Sequence, residues 1–146
     1  MRILIDGDGC PQKEQIISIA NEYHLKVILF VDYAHVMNHD LCEVRYCEIG
    51  QDSVDLMVTN EVKKNDLVIT QDYGLAALVL NKGAKVLHVN GMVIDCHNID
   101  ELLYQRYLGH QNRKLDKHIK GPKKRTLQDQ NQFIDQLKLL IGEKSK

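Results

Sequence analysis

The chain has no tryptophan, two phenylalanines and two prolines among 146 residues. So few prolines, with nine glycines, exclude a collagen-like or linker-like chain. No apolar run approaches the roughly 18 residues of a membrane-spanning helix. The N-terminal MRILIDGDGCP has one basic residue and two aspartates, and lacks the apolar stretch and small-residue cleavage site of a secretory leader. A cytoplasmic protein is therefore expected. Cys10, Cys42, Cys47 and Cys96 form no CxxC pair and no zinc-type spacing, so reduced thiols are expected rather than a disulfide or a zinc site. What is present is ordinary for a globular chain: 44% apolar and 27% charged residues, at a length that suits one domain spanning 1–146.

Charge is unevenly placed. Residues 1–112 hold 9 Lys and Arg against 16 Asp and Glu, a net of −7, whereas residues 113–146 hold 10 against 4, a net of +6. An acidic body with a basic segment over 113–125 asks for a partner that the segment would meet.

Short apolar runs alternate with amphipathic stretches. The pattern predicts strands over 2–5, 26–31, 43–49, 67–70 and 85–89, with 32–41 as a loop. Helices are predicted after Pro11, which suits a first turn, then from a cap at Asp52 through Lys63, and over 74–80 closed by Gly83. Two more follow, one over 98–109 capped by Asn98 and one capped by Thr126 with Leu127, Phe133, Ile134, Leu137, Leu140 and Ile141 as its apolar face. The implied fold is α/β: three α/β/α layers around a mostly parallel sheet of about five strands, with two C-terminal helices.

In such a sheet, ligands bind beyond the carboxyl ends of the strands, where strand order reverses. Asp6 and Asp8 follow the first strand, Asp52 and Asp55 open the helix after the third, and Asp72 follows the fourth. Converging carboxylates repel one another unless a cation is present, and hard cations such as Mg²⁺ or Mn²⁺ take oxygen ligands. The apolar neighbours Val54, Leu56, Met57 and Val58 set Asp55 apart from an ordinary solvated carboxylate. Each aspartate alone is equally a turn or cap residue; their recurrence at three strand ends is the informative part. Gly7 and Gly9 form a DGDG turn able to approach a phosphate, without a GxGxxG motif. His35 and His39, four residues apart, fall in the expected loop.

The motifs IDGDGCP at 5–11, GQDSVD at 50–55, DLVITQDYGLA at 66–76 and GPKKRTLQDQNQF at 121–133 resemble those of the YaiI/YqxD family of uncharacterised bacterial proteins. That family is related to PIN-like nuclease domains. The resemblance implies a PIN-like, Rossmann-like fold with an acidic metal site at Asp6, Asp8, Asp52, Asp55 and Asp72. The family pattern more usually carries Ala where Gly7 and Gly9 stand, and an Arg where Asn90 stands.

The leading expectation is a Mg²⁺- or Mn²⁺-dependent nuclease or phosphodiesterase acting on RNA or another phosphate-bearing substrate. Asp6, Asp8, Asp55 and Asp72 would be catalytic, with Asp52 joining them around the metal. Lys13, Arg113, Lys123, Lys124 and Arg125 would hold the nucleic-acid backbone. One alternative is a phosphatase of the haloacid-dehalogenase type, with Asp6 as nucleophile, Asp8 as acid and Thr70 as a second motif. Cys10 and Pro11 fit that class poorly. A third reading is a non-catalytic RNA-associated module.

Overall fold

The computed structural model describes residues 1–7, 10–32, 41–47, 53–115 and 125–142. The elements run β1 (Arg2–Asp6), α1 (Lys13–Glu22), β2 (Lys26–Asp32), β3 (Glu43–Cys47), α2 (Ser53–Glu61), β4 (Leu67–Ile69), α3 (Tyr73–Leu80), β5 (Lys85–Leu87), β6 (Val93–Ile94), α4 (Ile99–Leu115) and α5 (Leu127–Gly142). They form one six-stranded sheet in the order β3-β2-β1-β4-β5-β6. All neighbours are parallel except β5 and β6. This is the expected α/β/α fold.

The strands read as continuous apolar runs because both sheet faces are covered. Side chains alternate between the faces. Ile3, Ile5, Val27, Leu29, Ile69 and Leu87 meet Ile16, Ile17 and Ala20 of α1 and Phe133, Leu137 and Ile141 of α5. Leu4, Ile28, Phe30, Val68 and Val86 meet Val54 and Val58 of α2, Leu75 and Val79 of α3, and Ile99 of α4.

Several boundaries differ from the sequence reading, each for a local reason. Pro11 precedes α1 instead of opening it; Gln12, with φ 63°, turns the chain into the helix. Asp32 completes β2 and does not open the loop. Residues 33–40, and with them His35 and His39, lie outside the described residues, as does the expected cap Asp52. Asn98 is not the cap of α4. Asp95 Oδ1 accepts from the backbone N–H groups of His97 and Asn98, while Asn98 Oδ1 accepts from the N–H of Asp95. The reciprocal pair is a capping box set three residues earlier. α4 then continues to Leu115, into the basic segment. Thr126 does cap α5, paired with Asp129 in the same reciprocal way. Leu127 points outward at 71% exposure, so it does not belong to that helix's apolar face.

β6 was not expected. It returns from β5 through a tight turn in which Gly91, φ 96°, donates to the carbonyl of His88, and His88 donates to that of Met92. Asn90–Gly91 is a hairpin signal in the sequence.

At the amino ends of β1 and β4 lies a buried ion pair. Asp66, 4% exposed, accepts from the Arg2 guanidinium at 2.7 Å and from the backbone N–H groups of Arg2 and Lys63. Arg2 also reaches Glu61 at 3.0 Å, tying the end of α2 to the same point. Burial pushes the Asp66 carboxyl up, but Arg2 and the two N–H groups outweigh it and hold it below the usual carboxylate range. The stabilisation is therefore present above the unfolded carboxylate pKa and lost as pH falls through the folded one. Asp66→Asn is expected to destabilise the fold by about 3 kcal/mol at neutral pH. The gap should close in strong acid, where Asp66 is itself protonated. Urea unfolding of both chains across that range checks it, and a gap independent of pH would refute it.

Candidate functional site

Strand order turns back between β1 and β4: the chain runs outward through β2 and β3 on one side and through β5 and β6 on the other. The crevice beyond the carboxyl ends of β1 and β4 is the switch point of the sheet, where this architecture binds ligands.

Asp6 ends β1, and Thr70 directly follows β4. Thr70 is fully buried. Its hydroxyl donates to Asp6 Oδ2 at 2.8 Å and accepts from the backbone N–H of Asp72 at 3.0 Å. One hydroxyl thus joins the two strand ends. Asp72 caps α3, its Oδ1 accepting from Gly74 N at 2.8 Å and Leu75 N at 3.2 Å. The same oxygen meets Arg106 of α4 at 3.4 Å. Arg106 is more than half exposed, so that pair contributes little to stability. Among the described residues no group bonds Oδ2 of Asp72.

Asp55 lies in the first turn of α2, which runs from the carboxyl end of β3 back towards β4, so it starts on the crevice side of the sheet. Asp55 is half-buried, but its neighbours Leu56 and Met57 are exposed, so they do not enclose it as expected. Among the described residues no three His, Cys, Asp or Glu side chains gather closely enough to ligate one ion. Asp8 and Asp52 lie outside the described residues.

Of the expected nucleic-acid contacts, Lys13 opens α1, the helix that follows β1. Arg125 is half-buried and engaged: its guanidinium donates to the carbonyl of Val89 and to Gln12 Oε1 and stacks over Phe133 at 5.7 Å. It anchors the start of α5 to the turn after β5. Lys123, Lys124 and the side chain of Arg113 lie outside the described residues.

Cys10 sits among these groups, with Sγ 3.3 Å from the carbonyl of Pro11. Burial pushes its thiol up to about 12, with Lys13 and Arg125 opposing and Asp6 reinforcing the shift. A thiol so protonated is no nucleophile. A Cβ on Gly7 would lie 2.6 Å from the carbonyl oxygen of Phe30 and from Val31 Cγ1. Gly7 therefore serves the close approach of β1 to β2, and an alanine there requires the strands to part. Asn90 builds the turn, its Oδ1 accepting from Met92 N.

Sequence reasoning passed over Arg106 and His88 and gave Thr70 a role only in the phosphatase alternative. The Thr-x-Asp spacing ahead of a helix was the available signal, because a hydroxyl two residues before an N-cap can reach the cap's own N–H.

Fold and crevice together define a Rossmann-like α/β/α protein with acidic side chains at its switch point. The chain belongs to the family described as "Uncharacterized BCR, YaiI/YqxD family", whose model matches residues 4–143. It is 42% identical over 146 residues to a UPF0178 protein of Clostridium tetani, covering all of both chains. It is 44% identical over 142 residues to a UPF0178 protein of Natranaerobius thermophilus, covering 97% of this chain and 96% of the relative. No solved structure matches it. Among the described residues no helix is long and apolar enough to cross a membrane.

Thr70→Val is expected to remove one hydrogen bond from Asp6 Oδ2 and one from the N–H of Asp72, at a cost of about 2 kcal/mol. Thr70→Ser should restore most of it. Thermal denaturation of the two variants decides, and equal stability would mean that the hydroxyl bridge contributes nothing.

Proposed function

We propose that the protein hydrolyses phosphodiester bonds of RNA with the help of Mg²⁺ or Mn²⁺, at the crevice between β1 and β4. The observation that carries this reading is that Thr70 joins the Asp6 carboxylate to the backbone N–H of Asp72, bringing both residues to the switch point of the sheet. Two carboxylates suit Mg²⁺, which keeps several waters and takes the remaining ligands from substrate phosphate. They do not make a closed all-protein cage of the kind a structural zinc needs. Asp6 and Asp72 would hold the cation, with Asp55 nearby and Asp8 and Asp52 from the adjoining segments. A cation there supplies Lewis acidity at the phosphoryl centre.

The chain's own residues have separable tasks. Thr70 fixes the rotamer of Asp6. The cap bonds at Oδ1 fix Asp72, so that Oδ2 is presented in one orientation. Lys13 and the basic segment carry charge of the sign that a polyanion requires.

Two measurements test the reading. Millimolar Mn²⁺ should raise the melting temperature of the wild-type chain, by the equivalent of about 2.7 kcal/mol at a hundred-fold excess over Kd. Asp72→Asn keeps a good helix cap, so it should fold as well as wild type without metal and gain little from Mn²⁺. Equal shifts in both would place the ion elsewhere and remove the main support. Replacing Lys123 and Lys124 by Ala should flatten the salt dependence of single-stranded RNA binding by about 0.7 per lost phosphate contact. An unchanged slope would make those lysines solvated surface. Arg125 is kept out of that variant because its loss would also release α5.

The Thr70–Asp6 hydrogen bond favours one second reading, a phosphatase with Asp6 as nucleophile. Phosphate trapped covalently on Asp6 would establish it in place of direct hydrolysis. Binding of RNA without cleavage in either metal would leave the non-catalytic reading.

A further inference from the structure

His88 directly follows β5, as Thr70 follows β4 and Asp6 ends β1. The register makes these three one row. Ile5 pairs with Ile69, and Ile69 with Leu87, so the next residues along are Asp6, Thr70 and His88. The N–H of Thr70 still bonds the carbonyl of Leu87 at 3.3 Å, so the alignment extends past the ladder. Alternation sets the face. Leu4, Val68 and Val86, each two residues earlier, share the core under α2 and α3. Their successors Asp6, Thr70 and His88 therefore lie on that same face, about 4.8 Å apart from strand to strand.

Two contacts orient the imidazole. The backbone N–H of Asn90 donates to Nδ1 at 3.0 Å. The ring packs against Tyr73, the first residue of α3, with centroids 5.6 Å apart. An Nδ1 that accepts a hydrogen bond carries no proton, so in the neutral ring the proton sits on Nε2. Burial lowers the pKa of His88, and the charge of Arg125 adds to this against the Asn90 side chain, which raises it. The ring at neutral pH is thus uncharged and fixed in one tautomer.

We propose that His88 is a hydrogen-bond donor of the crevice, its Nε2–H holding a non-bridging phosphoryl oxygen of a bound phosphodiester. The inference rests on the reading of the crevice as a phosphodiester site and adds a substrate contact that no carboxylate can make. No proton is transferred: a neutral imidazole donates without ionising. The turn at Asn90–Gly91 has a task in this scheme, since it places the N–H that selects the tautomer.

The test is imidazole ¹⁵N NMR of the full chain, titrated in parallel with a short oligouridylate and with inorganic phosphate, alongside cleavage kinetics. The free protein should show His88 as the Nε2–H tautomer, and the Nε2–H signal should move downfield as oligouridylate is added. A response to inorganic phosphate alone would assign the donor to a free phosphate and overturn the diester contact. His88→Ala should raise KM about ten-fold with a smaller change in kcat, and His88→Gln, which keeps a donor, should recover most of it. RNA cleavage with an unmoved His88 signal, or a ring found as the Nδ1–H tautomer, would overturn the proposal and leave the hydrolase reading standing. A moved signal without cleavage in Mg²⁺ or Mn²⁺ would support the donor and reject the hydrolase.

Discussion

Thr70 is fully buried, so its hydroxyl has no water to turn to and must find protein partners. It finds two, the carboxylate of Asp6 and the N–H of Asp72. Much of the crevice follows from that requirement. A hydroxyl donates one hydrogen, and spending it on Asp6 leaves its lone pairs for Asp72. The end of β1 and the start of α3 are thereby set against each other at hydrogen-bond distance. α3 leads to β5, and the turn after β5 is held in turn by Arg125 from the start of α5. The carboxyl ends of three strands are linked through side chains, above what the backbone ladder alone provides.

The close of the basic segment is tied into the same end of the molecule. Its last residue, Arg125, is fastened to Val89, Gln12 and Phe133. Its first residues belong to α4, which also carries Arg106 to Asp72. The positive stretch therefore starts on α4 and finishes at the start of α5.

Most of the sheet was legible in the sequence because buried parallel strands are continuous apolar runs, and KVILFV or LVIT permits few other readings. The aspartates were legible as residues after strands, which the switch-point rule turns into a location. What was not legible depended on side chains talking to backbone. Asn98 looked like a cap, yet it completes a box begun by Asp95, and spacing alone does not separate the two roles. Leu127 had the hydrophobicity of a core residue but sits a turn too early on α5 to reach the sheet. Val93–Ile94 is too short to register as a strand, although Asn90–Gly91 marked its turn. His88 had no motif around it. Its place became visible only when the register put it in a row with Asp6 and Thr70.

The Arg2–Asp66–Glu61 cluster lies at the amino ends of β1 and β4, and the crevice lies at their carboxyl ends. Three residues of strand, Ile3, Leu4 and Ile5, separate Arg2 from Asp6 along β1. Substitutions more than about 7–10 Å apart with no shared partner act additively. Substitutions at the crevice can then accumulate without drawing on the ion pair that secures the far end. Stability changes at the two ends should therefore simply add, so that a variant weakened at one end has the full reserve of the other.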